Sequence, residues 1–129
     1  MPDPEPKGRT ERTLRPPTQC VLWQQPALIV SLDDERFEAL ETFVESSHCD
    51  RALLKCRECG QLYFWEFYET IDWEGGDDAQ YSTYIPVQTP EEVDALKEAT
   101  VFETRDFSPR LQRDHPTGAK AATVRWIGK

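Results

Sequence analysis

Apolar residues fall into short, separated groups along the chain. The first are Cys20-Val21-Leu22-Trp23 and residues 27–32, divided by Pro26; both are rich in strand formers and predict extended segments. Ser31-Leu32-Asp33-Asp34 then reads as a helix start, in which Ser31 caps free amides and Asp34 is the reciprocal acid three residues on. Asp33, Asp34 and Glu35 also lie where the helix dipole favours negative charge. Phe37, Leu40, Phe43 and Val44 follow at three- and four-residue spacing, predicting one apolar helix face that ends near residues 46–47.

Residues 61–73, QLYFWEFYETIDW, are dense in aromatics and predict a strand. Glu74-Gly75-Gly76-Asp77-Asp78 supplies a turn, and alternating Tyr81, Thr83, Ile85 and Val87 predict the return strand of a long hairpin. Thr89-Pro90-Glu91-Glu92 is a second capping box, with Pro90 at the first helical position and Val93, Leu96 and Ala99 turned inward. Residues 105–120 look polar and irregular, and Thr123–Ile127 reads as a terminal edge strand. The sum predicts an α+β fold: an antiparallel sheet with a long central hairpin, two helices packed on it, and a zinc-ribbon-like knuckle where the CxxC pair leads into the hairpin.

Five of the ten prolines fall in residues 1–17, with almost no apolar residues, which predicts a disordered or loosely docked N-terminal arm before a single domain over residues 18–129. No internal repeat is visible. The chain is 38% hydrophobic, lean for a core, but fourteen aromatics each bury a large area. The longest purely apolar run, residues 27–30, is too short to span a bilayer, and no apolar stretch follows Met1 as a secretory signal would require, so the expectation is a cytoplasmic protein with no membrane partner. A net charge of −9 argues against nucleic acid as a partner. The charge is uneven: residues 33–50 carry seven acids against Arg36, residues 66–78 six acids and no base, and residues 105–129 six bases against two acids. The acidic middle and basic end are expected to attract each other in the fold, and the acidic face either is a solvated surface that keeps the protein soluble or docks a basic protein.

The four cysteines are Cys20, Cys49, Cys56 and Cys59. Cys56-Arg57-Glu58-Cys59-Gly60 is the informative piece: two thiolates two residues apart reach one ion when the backbone turns tightly, and Gly60 allows the positive φ that closes the turn. Arg51, Lys55 and Arg57 flank the pair and would favour the thiolates. A structural zinc site needs four ligands and a second CxxC is absent. The third ligand is expected from His48 or Cys49, since adjacent side chains diverge; Cys20 is the natural fourth and His115 the reserve. Reduced thiols in a structural turn, or a redox-active or disulfide-forming pair, are the alternatives. A thiol–disulfide oxidoreductase places its CxxC after a strand at a helix N-terminus, whereas this pair follows a helix or loop and precedes a strand. Two disulfides would need an export route that no visible signal supports.

The run from Leu53 through Cys56, Cys59, Gly60 and Tyr63, continuing through Glu66, Glu69, Asp72-Trp73, Asp77, Tyr81 and Ile85-Pro86-Val87, resembles a group of small uncharacterised bacterial proteins with a CxxCG knuckle and an aromatic-acidic hairpin. The resemblance covers about a third of the chain. It implies a small zinc-ribbon-like domain and carries no known activity.

Other constellations are weaker. Glu66 and Glu69 point to opposite faces of a regular strand, and Glu66 and Asp72 lie ~20 Å apart, too far for a hydrolytic carboxylate pair. Asp72, Glu74, Asp77 and Asp78 could hold calcium but do not fit an EF-hand loop. Ser47, His48 and Asp50 lack the glycine-framed turn of a nucleophile, and no phosphate-binding loop or dinucleotide fingerprint is present. The strand over residues 61–73 is apolar on both faces, so either both are covered or one is an exposed aromatic patch for a partner. The expected role is a small non-enzymatic zinc-binding protein acting on a basic protein partner, immunity-like or an adaptor. The alternatives are a thiol–disulfide redox protein with Cys56 as nucleophile and Cys59 as resolver, or a folded domain without metal.

Overall fold

The computed structural model of the protein describes residues 12–29, 35–46, 48–101 and 103–129. Its elements in chain order are β1 (Arg12–Thr13), α1 (Val21–Gln24), a 3-10 turn (Pro26–Leu28), β2 (Phe37–Glu45), β3 (Cys49–Cys56), β4 (Leu62–Thr70), β5 (Ala79–Val87), α2 (Pro90–Glu98), a second 3-10 turn (Glu103–Asp106), β6 (Phe107–Ser108), β7 (Arg110–His115) and β8 (Thr123–Ile127). Strands β2-β3-β4-β5-β7-β8 form one six-stranded sheet with antiparallel neighbours throughout, and β1 pairs with β6 in a separate parallel ladder. The fold is therefore α+β with an antiparallel sheet, and the β4–β5 hairpin lies at its centre. No helix among the described residues is long and apolar enough to cross a membrane.

The hairpin forms as the pattern predicts, with Tyr63 opposite Pro86 and Phe64 opposite Ile85. Tyr63 and Phe64 point to opposite faces and are both fully buried, because each face of the sheet has its own cover. On one face Cys20, Leu22 and Ile29 pack over Ala52, Leu54, Tyr63, Tyr84 and Leu111. Leu96 of α2, with Leu14 and Phe107, covers Phe64, Ile85 and Val87 on the other. Only the far end of the predicted strand departs: β4 stops at Thr70, and Trp73 stands 89% exposed beyond it.

The helix predicted from Ser31 is a strand over its described part; residues 31–34 lie outside the described residues. Register shifts between Ala39 and Glu41 and between Thr42 and Val44 break the period of two. Phe37 therefore packs on Tyr63 and Tyr84 on one face, while Phe43 stacks on Phe64 on the other. The bulges produce a spacing that imitates a helix, and Leu40 and Val44 are left exposed. The segment Cys20–Trp23, predicted as extended, forms the four-residue α1 with Cys20 at its N-cap, and Pro26 opens the following 3-10 turn. Strand β3 occupies a stretch read as helix or loop, and β7 a stretch read as irregular.

The first acidic segment and the basic end lie apart: strand β2, bearing exposed Glu38, Glu41 and Glu45, is one edge of the sheet, and β8 with Arg125 is the opposite edge, with four strands between them. The second acidic segment does meet the basic end, at its turn, where Asp77 accepts from Thr117 Oγ1 and Gly118 N.

One row across the sheet is polar. Arg51, Glu66, Thr83, Gln112 and Arg125 face one another in register from β3 to β8. Arg51 gives Nε and Nη2 to Glu66 Oε2 at 2.8 and 2.7 Å. Thr104 donates to the other oxygen of Glu66 at 2.9 Å. Arg51 also reaches the carbonyls of Leu96, Lys97 and Ala99, at 3.4, 3.3 and 2.6 Å. These carbonyls lie at the C-terminus of α2, where Leu96 O also accepts from Ala99 N, and a guanidinium suits the negative end of the helix dipole. Glu66 is thus a structural counter-ion that ties α2 to the sheet.

Candidate metal centre

Three cysteines converge where the N-terminal cover meets the end of β3. The sulfurs of Cys20, Cys56 and Cys59 all lie within 4.8 Å of one another, and among the described residues they are the group of cysteine, histidine and acidic side chains placed to hold an ion. All three are free thiols; Cys20 and Cys56 are buried and Cys59 is exposed.

Local structure explains the placement of each. Cys56 ends β3; its N–H donates to Gln61 O at 2.8 Å and its carbonyl accepts from Gly60 N at 2.8 Å. Gly60 has φ +84°, the left-handed conformation that lets the chain reverse within four residues. The reversal turns Cys59 back toward Cys56, and the Gln61 amide donates to the Cys59 sulfur. Cys20 arrives from the other layer. Gln19 donates to Gln61 Oε1 at 2.7 Å, and Gln61 is itself held by bonds to the carbonyls of Leu62 and Val87. From beneath, the buried Tyr63 hydroxyl donates to Cys20 Sγ at 3.1 Å. A further clamp joins the knuckle to the start of β2, where Arg57 N donates to Arg36 O and Arg36 pairs with Glu58 at 3.3 Å.

The electrostatics differ from expectation. The Cys59 thiol is pushed up to about 12, first by desolvation and then by the neighbouring Cys20 and Cys56 thiols, with the Gln61 amide opposing. Burial beside Cys20 likewise raises the Tyr63 phenol. The flanking arginines are turned to other partners: Arg51 points to Glu66 on the other face, and Arg57 Nε is spent on the Glu35 carbonyl. At Cys59, burial and the two neighbouring sulfurs favour the neutral thiol, and a cation shared between the three sulfurs reverses that balance.

The structure does not bring His48 or Cys49 to this group. Cys49 begins β3 and Cys56 ends it, which sets them ~23 Å apart in an extended strand. His48 Nδ1 instead lies 3.7 Å from Glu69, and burial raises the Cys49 thiol, with Glu66 adding to the effect. His115 is also remote, since its register partner Gln80 faces Glu69 at the far end of the hairpin, and its Nε2 lies 3.1 Å from Ala119 O.

The other carboxylates are occupied in holding the fold. Asp72 accepts from the amides of Gly75 and Asp77, which holds its carboxyl below the usual range. Asp78 accepts from Asp72 N, and Asp77 accepts from Gly118 N across to the loop after β7. These oxygens shape the turn, and among the described residues the acids there do not form a group that could hold an ion. Comparison with protein-family models, curated proteins and solved structures finds no match to this chain.

Proposed function

We propose that the protein is a small, non-enzymatic zinc-binding domain in which Cys20, Cys56 and Cys59 hold the ion and a solvent donor completes four ligands. The observation that carries this reading is the convergence of three sulfurs from two separate layers of the fold. Thiolates suit zinc, which adds no redox chemistry of its own. Binding cross-links residues 20 and 56, so the ion pins the N-terminal cover over the hairpin and stabilises a thin core.

Thiol–disulfide exchange is the weaker reading. Its nucleophile must be an accessible thiolate, whereas the exposed sulfur of the trio is held protonated up to about pH 12 and the other two are buried.

In this reading the domain works by binding a basic protein partner, in an immunity-like or adaptor role. Edge strand β2 supports it: Glu38, Glu41 and Glu45 are exposed beside Leu40 and Val44, and among the described residues no strand pairs with its outer backbone.

Metal dependence of stability tests the reading. Purified under reducing conditions, the protein is expected to melt at least 10 °C lower after a strong chelator is added, and to recover when zinc is returned in excess. An unchanged melting temperature would remove the structural ion from the account.

A further inference from the structure

The polar row across the sheet ends in a cavity of about 340 Å³ at the corner formed by β5, β7 and β8, walled by the second 3-10 turn. Three arginines from three elements line it: Arg105 from the turn, Arg110 from β7 and Arg125 from β8. That concentration of positive charge is unexpected in a chain of net charge −9. Arg110 is anchored by Nη1 to the carbonyls of Arg105 and Phe107, at 2.6 and 3.3 Å, so its guanidinium is fixed. Its Nε is buried and has no hydrogen-bond partner.

Two acids accompany the arginines. Asp114 lies 3.5 Å from Arg125 and accepts from Gln112 at 2.9 Å; Gln112 is in turn fixed by Thr83 and the Ser82 carbonyl. Asp106 stands near Arg110 as well. Three guanidinium groups against these two carboxylates leave the corner with an excess of positive charge.

We propose that this corner binds the phosphate group of a small phosphorylated organic ligand. Three guanidinium groups from three elements suit a tetrahedral anion, which takes several forked donors at once; a planar carboxylate is satisfied by one. Tyr81 and Ile127 offer ring and alkyl surface for the carbon skeleton, and Asp114 is placed to accept from a hydroxyl or amino group on it. The volume fits a small molecule. The site lies away from the cysteine trio and does not depend on the metal reading.

The test uses the full chain, titrated with inorganic phosphate and followed by amide chemical shifts, against sodium chloride at matched ionic strength. Saturable shifts are expected on β7, β8 and residues 103–106. The Arg105→Ala/Arg125→Ala variant, altered at two exposed side chains and folded by circular dichroism, should bind at least tenfold more weakly, and acetate should bind the native protein at least tenfold more weakly than phosphate. Shifts that chloride reproduces, shifts located elsewhere, or equal affinity in the double variant would overturn the site. Acetate binding as tightly as phosphate would overturn the choice of ligand.

Discussion

The Cys56→Ser variant is expected to lose the proposed zinc and more than about 3 kcal/mol of stability, while Cys49→Ser is expected to keep one ion and stay within about 1 kcal/mol of the native protein. The contrast follows from position alone: both residues belong to β3, at opposite ends, and only Cys56 faces Cys20 and Cys59. A structural zinc contributes on the order of 10 kcal/mol of apparent binding free energy at neutral pH, and a domain of this size is stable by only about 5–15 kcal/mol. Cys59→Ser separates the two contributions. Cys59 is the exposed residue of the three and serine differs from it by one atom, so in chelator the variant should match the native apo-protein, and without chelator it should be metal-free and weakened. Metal content by plasma mass spectrometry and urea unfolding with and without chelator measure both. Equal behaviour of Cys56→Ser and Cys49→Ser would contradict the assignment.

Glu66→Ala is the second large effect, at about 3–5 kcal/mol, because it leaves the Arg51 charge buried without its counter-ion. In a domain of this size that lowers the melting temperature by roughly 10–20 °C. The double variant Arg51→Met/Glu66→Leu should recover part of the loss, since two apolar side chains replace two desolvated charges. Recovery stays incomplete, because Arg51 also satisfies the carbonyls of Leu96, Lys97 and Ala99 and Glu66 accepts from Thr104. Thermal unfolding of the two variants beside the native protein decides it. A single variant as stable as the native protein would show that the pair is hydrated and that α2 is held by apolar contacts alone.

The elements legible in the sequence are those whose local signals agree with their surroundings. The β4–β5 hairpin shows its alternation on Tyr81 to Val87 and its glycines in the turn. Helix α2 shows its cap: Thr89 Oγ1 accepts from Glu92 N at 3.2 Å, and Glu92 Oε1 accepts from Gln88 N at 2.7 Å. Strand β8 forms over the predicted residues, 123–127. Where the environment overrides local preference, the sequence misleads. Two bulges gave β2 the spacing of a helix. Ala52, Leu53 and Leu54 of β3 pack against covers on both faces, which removes alternation, and they are better helix than strand formers. Strand β7 carries one apolar residue, Leu111, while Gln112 and Arg113 beside it are buried too, Gln112 among polar partners.

The same division runs through the site. CxxCG announced a tight turn, since Cys56, Cys59 and Gly60 lie within five residues. Cys20 reaches the site through tertiary contacts, Gln19 on Gln61 and Tyr63 on its sulfur, which no spacing encodes. Proximity in sequence favoured His48 and Cys49, and an intervening extended strand carried them away. Nothing local marks the arginine corner, because its three guanidinium groups are assembled by strand pairing across 20 residues of chain.

Native mass spectrometry of the reduced, buffer-exchanged protein tests the central claim most directly. The account predicts the mass of the chain plus one zinc ion, reverting to the bare chain in Cys56→Ser and Cys59→Ser but not in Cys49→Ser. A folded native protein at the mass of the bare chain would contradict it.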